Sequence, residues 1–142
     1  MSVNQKLTKD KHGKDVDPSL YRSMIGSLLY LIANRPDISF SVGICARYQA
    51  TPTKSHLKAV KRIIRYVHSN VEYGILYSKE SNSHLAGYSD VDLARNIDDR
   101  KSTSGGCFHL SNNLVTWYSK KQSSISHSIA GAEYITVGSC CT

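Results

Sequence analysis

The stretch Leu85-Ala-Gly-Tyr-Ser-Asp-Val-Asp-Leu93 decides the fold class, because it breaks the helical pattern of the residues before it. Its apolar residues fall at odd positions and its aromatic and acidic residues at even positions: Leu85, Val91 and Leu93 against Tyr88, Asp90 and Asp92. Successive side chains of a β-strand point to opposite faces, so this alternation predicts a strand with one apolar and one polar face.

Three more short segments around this stretch are predicted to be strands. They are Tyr73–Tyr77, Gly106–Leu110 and Leu114–Tyr118, which are rich in aromatic and β-branched residues. Ser111-Asn-Asn113 joins the last two, and its asparagines tolerate a left-handed backbone. A final helix follows, and its expected buried stripe consists of Ala130, Tyr134, Val137 and Cys141.

Three helices are predicted upstream. Asp17-Pro18 supplies an N-cap and a first-turn proline for a helix over about 18–33. Asp37 can cap a second helix, and Thr51-Pro52 opens a third. The apolar residues expected to face the core are Leu20, Met24, Leu28 and Leu31, joined by Tyr21, Ile25 and Leu29, then Ile38, Val42, Cys45 and Ala46, then Leu57, Val60, Ile63, Ile64 and Val67.

The order of these elements predicts an α+β protein in three parts. Residues 1–16 are polar and without periodicity, which is typical of a flexible leader. Residues 17–70 form a helical segment, and residues 71–142 form a sheet with one helix.

The chain is basic, with a formal net charge of +7, which favours polyanionic partners such as nucleic acid. The charge concentrates on the third helix, where basic residues recur opposite the apolar ones. We take Lys54, Lys58, Lys61, Arg62 and Arg65 as candidate nucleic-acid-binding residues, with His68 continuing the stripe. A merely solvated helix face is the alternative.

The sequence carries no sign of a membrane or export role. No apolar run reaches the roughly 20 residues that cross a bilayer. The first residues lack the apolar stretch of a secretory signal, so we expect an intracellular protein of the cytoplasm or nucleus. Its four cysteines form no Cys-x-x-Cys pair, and we expect reduced, mostly buried thiols.

Two carboxylates are candidates for catalysis and for metal binding. Asp90 lies on a predicted strand, and Glu133 lies on the last helix, where it can face the sheet edge. Hard oxygen ligands of this kind hold the ions of a two-magnesium phosphodiesterase. Asp92, Asp98 and Asp99 are equally available by spacing, although Asp98-Asp-Arg-Lys101 is predicted to form a salt-bridged turn.

Several motifs resemble copia-type retrotransposon Pol polyproteins from about Leu7 to Thr142. Tyr21–Tyr30, Arg35–Ile38 and Ser55–Tyr66 look like the region that follows the polymerase palm. Four further segments look like the opening of the ribonuclease H domain: Gly87–Asp92, Asp99–Gly105, Val115–Gln122 and Ala132–Tyr134.

The resemblance implies a helical thumb or connection segment followed by a truncated ribonuclease H-like mixed sheet of three to four strands with one helix. The family's first catalytic aspartate falls on Asp90 and its helix glutamate on Glu133, and the family implies Mg²⁺ as the cofactor. The family's remaining catalytic aspartates would lie beyond Thr142. We therefore expect unstable Mg²⁺ binding, no cleavage by the chain alone and residual contact with an RNA–DNA hybrid or other nucleic acid. We also expect self-association through exposed sheet edges.

The chain departs from the family at two motifs. It has Asp90-Val-Asp-Leu-Ala-Arg-Asn96, where the family usually has Asp-Ala-Asp-Trp-Ala-Gly-Asp, and Gly131 replaces a glutamate. Two alternatives to an inactive fragment stay open. One is a metal-dependent hybrid nuclease completed by another chain, and the other is a co-opted, non-enzymatic interaction or effector protein.

Overall fold

A computed structural model describes residues 6–79, 84–94 and 96–140. Arg95, one of the departures from the family, and Cys141, the end of the expected stripe on the last helix, lie outside these residues. The chain divides into two compact units, Met1–Gly74 and Ile75–Thr142. The first contains three helices and the second a three-stranded sheet and one helix, which confirms the α+β class. No helix in the described ranges is long and apolar enough to cross a membrane.

The helical unit consists of α1 (Pro18–Leu31), α2 (Pro36–Ala46) and α3 (Lys54–Ser69). α1 begins as predicted, because the Asp17 carboxylate accepts a hydrogen bond of 2.9 Å from Ser19 N and Pro18 occupies the first turn. α3 begins after Thr53 instead of at Thr51-Pro52. Pro52 is buried, and its carbonyl accepts a hydrogen bond of 3.0 Å from Val16 N, outside any helix.

One apolar core joins the three helices, and most of its residues were predicted. Its buried members are Tyr21, Ile25, Leu28, Ile38, Val42, Cys45, Ala59, Val60 and Ile63. Leu20, Leu29 and Ile64 were expected there but are exposed. Tyr21 is buried as expected, because its ring is apolar and its hydroxyl donates to Cys45 O at 2.9 Å. Burial raises the pKa of the Tyr21 hydroxyl.

Asp37 does not cap α2, contrary to prediction. Its carboxylate accepts from Arg35 Nε at 3.0 Å and from Arg35 Nη2 at 2.8 Å, and the Tyr66 hydroxyl donates to it at 3.0 Å. Arg35 Nη1 also donates to Asn70 O at 3.0 Å. The pair therefore links the start of α2 to the end of α3, a use of Asp37 that depends on residues far away in sequence.

The segment expected to be a flexible leader is irregular where it is described but makes hydrogen bonds to the helical unit. These bonds join Leu7 O to Tyr48, Thr8 O to His56, Lys14 O to Lys54 N and Val16 N to Pro52 O. On the side of the leader, backbone atoms make these hydrogen bonds. The polar composition that suggested flexibility therefore does not predict them.

The second unit is built on strands β1 (Leu85–Asp92), β2 (Thr103–Leu110) and β3 (Asn113–Lys121), which lie in that order. Both pairings are antiparallel, so the described sheet is not the mixed sheet that was expected. In the β2–β3 turn Ser111, and neither asparagine, has the left-handed backbone, with φ 57°.

Tyr73–Tyr77 forms no strand, which corrects another prediction. Tyr73, Leu76 and Tyr77 are exposed. Their aromatic and apolar character suggested a strand, but a strand needs a partner along its length. Ser78, just beyond them, is hydrogen-bonded to the sheet through Asn113.

Helix α4 (Ile129–Cys140) packs through a different face from the predicted one. Tyr134 is 83% exposed and Val137 52% exposed, whereas Ala132 and Thr136 are buried. A polar network selects this face: Gln122 Nε2 donates to Ala132 O at 3.0 Å and to Thr136 Oγ1 at 3.2 Å. Apolar residues occur all around α4, so periodicity could not identify its buried side.

Candidate functional site

The register of the sheet places the two candidate carboxylates on different surfaces. Residues paired across antiparallel strands share a face, and Asp90 pairs with Gly105, which pairs with Ser119. The neighbouring residue Ser104 lies on the other face, where its hydroxyl is 2.7 Å from Thr136 Oγ1 of α4. Asp90 therefore points away from the face that α4 covers.

Glu133 is exposed on α4, next to the buried Ala132. Asp90 is exposed on β1, and its Oδ1 accepts a hydrogen bond of 2.8 Å from Val91 N. No hydrogen bond joins the two carboxylates in the part of the chain that the structure describes. Their shared catalytic and metal-binding role stays a prediction.

The residues that are described do not fit a magnesium centre. Nowhere in the described ranges do three His, Cys, Asp or Glu side chains come close enough to hold a metal ion. Since Asp90 and Glu133 lie on separate exposed surfaces, no catalytic step through Mg²⁺ follows from their geometry.

The Asp98–Lys101 segment is a turn, as predicted, but its ion pair is not internal. The Asp99 carboxylate pairs with the Lys121 ammonium on β3. It also accepts from Asn96 Nδ2 at 2.7 Å and from Lys101 N at 3.2 Å. Asp99 therefore fastens the β1–β2 connection to β3, so its carboxylate has a structural role.

Leu93 stands where the family usually has tryptophan, and it lines a cavity of about 340 Å³. The other lining residues are Ala94, Arg100, Ile125, Ser126 and His127. No carboxylate is among them, so the cavity adds no ligand to the predicted metal pair.

The basic stripe of α3 is organised as predicted. Four of its residues are exposed: Lys54, Lys58, Lys61 and Arg65. At 3.6 residues per turn their directions fall within about 60° of one another, and they extend over about 17 Å of helix. The buried residues of α3 are His56, Ala59, Val60 and Ile63, on the opposite side.

The stripe's charge is not neutralised within its own helix, because α3 contains no Asp or Glu. Arg62 is half-buried and lies to one side of the other four. A row of exposed cations with no acidic residue on the same helix can follow a phosphate backbone, and it can also be a solvated face.

His56 is a buried residue that the sequence reasoning missed. It accepts a hydrogen bond of 3.0 Å from Thr53 N at Nδ1, so its other nitrogen carries the proton and donates to Thr8 O at 2.7 Å. Its ring stacks on Tyr48, with centroids 4.2 Å apart. The sequence signal for its burial was its position among the apolar residues of α3. His56 orients the first turn of the helix that carries the basic stripe.

Comparison with known proteins gives the chain its family. No family model matches, and no solved structure matches. The chain is 39% identical over 137 residues to the retrovirus-related Pol polyprotein from transposon RE2 of Arabidopsis thaliana, covering 96% of the chain and 9% of that polyprotein. It is 40% identical over 116 residues to the corresponding polyprotein from transposon TNT 1-94 of Nicotiana tabacum, covering 81% of the chain and 9% of the relative.

A shorter relative matches over most of its own length. The secreted RxLR effector protein 161 of Plasmopara viticola is 36% identical over 118 residues, which is 82% of the chain and 83% of that protein. The chain thus spans about 9% of the transposon polyproteins that it matches but most of this shorter protein. The chain belongs to the retrovirus-related Pol polyproteins of copia-type transposons.

Proposed function

We propose that this part of a copia-type Pol polyprotein joins a reverse transcriptase thumb or connection segment to the start of a ribonuclease H-like domain. In this proposal it does not cleave nucleic acid by itself, and it acts inside the cell that produces it. Its remaining activity is contact with the phosphate backbone of an RNA–DNA hybrid or another nucleic acid through the basic stripe of α3.

The exposed row Lys54, Lys58, Lys61 and Arg65 carries this proposal. Each cation that meets a phosphate releases condensed counterions, and this supplies most of sequence-independent affinity. None of these four residues is aromatic, and base stacking on aromatic side chains is the usual additional mode of single-strand binding. The stripe therefore suits backbone contact without base recognition.

The binding test is fluorescence anisotropy with a labelled RNA–DNA hybrid. The variant Lys58→Gln/Lys61→Gln/Arg65→Gln should bind at least about tenfold more weakly, because three phosphate contacts are lost. The control Lys11→Gln/Arg22→Gln/Lys120→Gln removes the same charge from exposed positions outside α3 and should bind much more tightly than the stripe variant. An equal loss of affinity in both variants would show that the stripe contributes only through the net charge of the chain.

Inactivity of the isolated chain is supported by the separate positions of Asp90 and Glu133. The test is incubation of the hybrid with Mg²⁺, comparing the unsubstituted chain with Asp90→Asn. We expect no cleavage by either. Cleavage that Asp90→Asn abolishes would refute inactivity and show that the chain is a metal-dependent nuclease.

A second candidate function is that of a non-enzymatic effector. It is favoured by the similarity to a secreted effector that the chain matches over 83% of that protein's length. An effector would leave the producing cell, so an epitope-tagged chain should be assayed in medium and in cells. We expect retention in the cells, and accumulation in the medium without lysis would establish the second candidate instead.

A further inference from the structure

His56 is a titratable side chain that is fully buried in the helical unit. Both of its ring nitrogens are committed to backbone groups. Nδ1 accepts a hydrogen bond of 3.0 Å from Thr53 N, and Nε2 donates one of 2.7 Å to Thr8 O. An imidazole nitrogen can accept only while the ring is neutral. This arrangement therefore requires a neutral His56 whose proton is on Nε2.

The hydrogen bond to Thr8 O is part of a cluster that fastens the leader, residues 7–16, to the start of α3. Lys54 N donates to Lys14 O at 2.9 Å, and Val16 N donates to Pro52 O at 3.0 Å. The Thr53 hydroxyl donates to the Asp10 carboxylate at 3.3 Å. Because these contacts lie on both sides of the His56 ring, a charge on that ring affects all of them.

We propose that protonation of His56 releases the leader from α3, so that the docking of the leader is a pH-sensitive switch. A second proton on Nδ1 would face the N–H of Thr53, and two donors form no hydrogen bond with each other. Thr53 is buried, so its N–H would be left without a partner. The positive end of the α3 dipole also disfavours a cation in the first turn.

The charged and titratable groups around the ring act in both directions. Asp10 of the leader attracts an imidazolium, and the hydrogen bond from Ser55 holds the pKa of Asp10 below its usual 3.8. This carboxylate therefore stays ionised from pH 5 upward. His12 of the leader and Lys54 of the first turn repel an imidazolium, and the stacked Tyr48 adds a neutral ring. The attraction by Asp10 does not restore an acceptor to Thr53 N, so release still follows.

The direction of the pH dependence follows from where the second proton can bind. The docked leader excludes this proton and the released leader admits it, so docking is lost as the pH falls. A free imidazole titrates near about pH 6.5. Between pH 7.5 and pH 5 the docking equilibrium can therefore weaken by at most about thirtyfold. Attraction by Asp10 reduces this limit, and we expect roughly tenfold.

The test is amide hydrogen exchange of the full chain by NMR at pH 7.5 and pH 5, with each rate divided by the intrinsic rate at that pH. Protection of Val16 N and Lys54 N should fall roughly tenfold at pH 5. Protection of Tyr21 N, which donates to Asp17 O at the start of α1, should stay unchanged. Unchanged protection of Val16 and Lys54, or an equal fall at Tyr21, would overturn the switch.

Two substitutions assign the effect to one histidine. Glutamine at the third position of a helix also accepts from the N-cap N–H, and its amide carries no charge, so His56→Gln should keep the leader docked at both pH values. The control His12→Gln removes an exposed histidine of the leader and should leave the pH dependence as it is. A pH dependence that survives His56→Gln, or that His12→Gln abolishes, would refute the role of His56.

Nitrogen-15 shifts of the His56 ring give an independent measurement in the unsubstituted chain. At pH 7.5 they should show a proton on Nε2 and none on Nδ1. A ring protonated on both nitrogens while Val16 N and Lys54 N remain protected would contradict the proposal.

Discussion

Replacing Gln122 with Met should destabilise the second unit by about 2 kcal/mol. The Gln122 side chain is buried, and its Nε2 donates to Ser104 Oγ at 3.0 Å, Ala132 O at 3.0 Å and Thr136 Oγ1 at 3.2 Å. An amide nitrogen carries two hydrogens, so two of these bonds form at a time. Each contributes about 1 kcal/mol net. Methionine is similar in volume, so a cavity adds little.

Urea denaturation monitored by tryptophan fluorescence measures this loss. Trp117 is the only tryptophan, and it lies on β3 of the same unit. With an m value of about 1–2 kcal/mol/M, the midpoint should fall by about 1–2 M. The control Gln49→Met removes a hydrogen bond of 2.9 Å to Ala46 O in the helical unit and should leave the Trp117 transition in place. A Gln122→Met midpoint equal to that of the unsubstituted chain would refute the network's role.

Three further predictions concern the helical unit. Tyr21→Phe should lower the free energy of unfolding by about 1 kcal/mol, measured by thermal circular dichroism, because Cys45 O loses the buried Tyr21 hydroxyl and keeps only the Tyr48 N–H as a donor; an unchanged melt would contradict this. Burial raises the pKa of the Cys45 thiol to about 11, so iodoacetamide should modify Cys45 only as fast as the unit unfolds, and rapid labelling of the folded chain would count against the packing. The hydrogen bond from Arg35 holds the pKa of Asp37 below its usual 3.8. The pair should therefore stabilise the fold above about pH 4 and lose its effect as the pH falls further, so Asp37→Asn should destabilise at pH 7 but not at strongly acidic pH.

Residues that pack with their sequence neighbours were the easiest to predict. The capping Asp17 and the apolar spacing of α1 and α3 placed those helices within a few residues, and alternation placed β1. Prediction was wrong where distant residues decide the outcome. The Tyr66 hydroxyl of α3 joins the neighbouring Arg35 in holding Asp37, which does not cap α2, and the polar partners of Thr136 select the buried face of α4.

The same distinction between local and distant determinants applies to the candidate site. The basic stripe could be located from sequence, because side chains on one helix face are fixed by helical geometry alone. Whether Asp90 and Glu133 converge depends on which sheet face α4 covers. Their spacing in the chain carries no information on that point.

The salt dependence of binding to an RNA–DNA hybrid tests the central claim most directly, since it counts the phosphates that α3 meets. Four contacts predict a slope of log K against log salt concentration of about −3.6. Lys58→Gln/Lys61→Gln/Arg65→Gln should reduce the magnitude of the slope to about 0.9. The control variant Lys11→Gln/Arg22→Gln/Lys120→Gln, which loses the same charge outside α3, should keep most of the original slope. A slope near zero for the unsubstituted chain, or the same slope for both variants, would contradict the claim that the basic stripe binds nucleic acid.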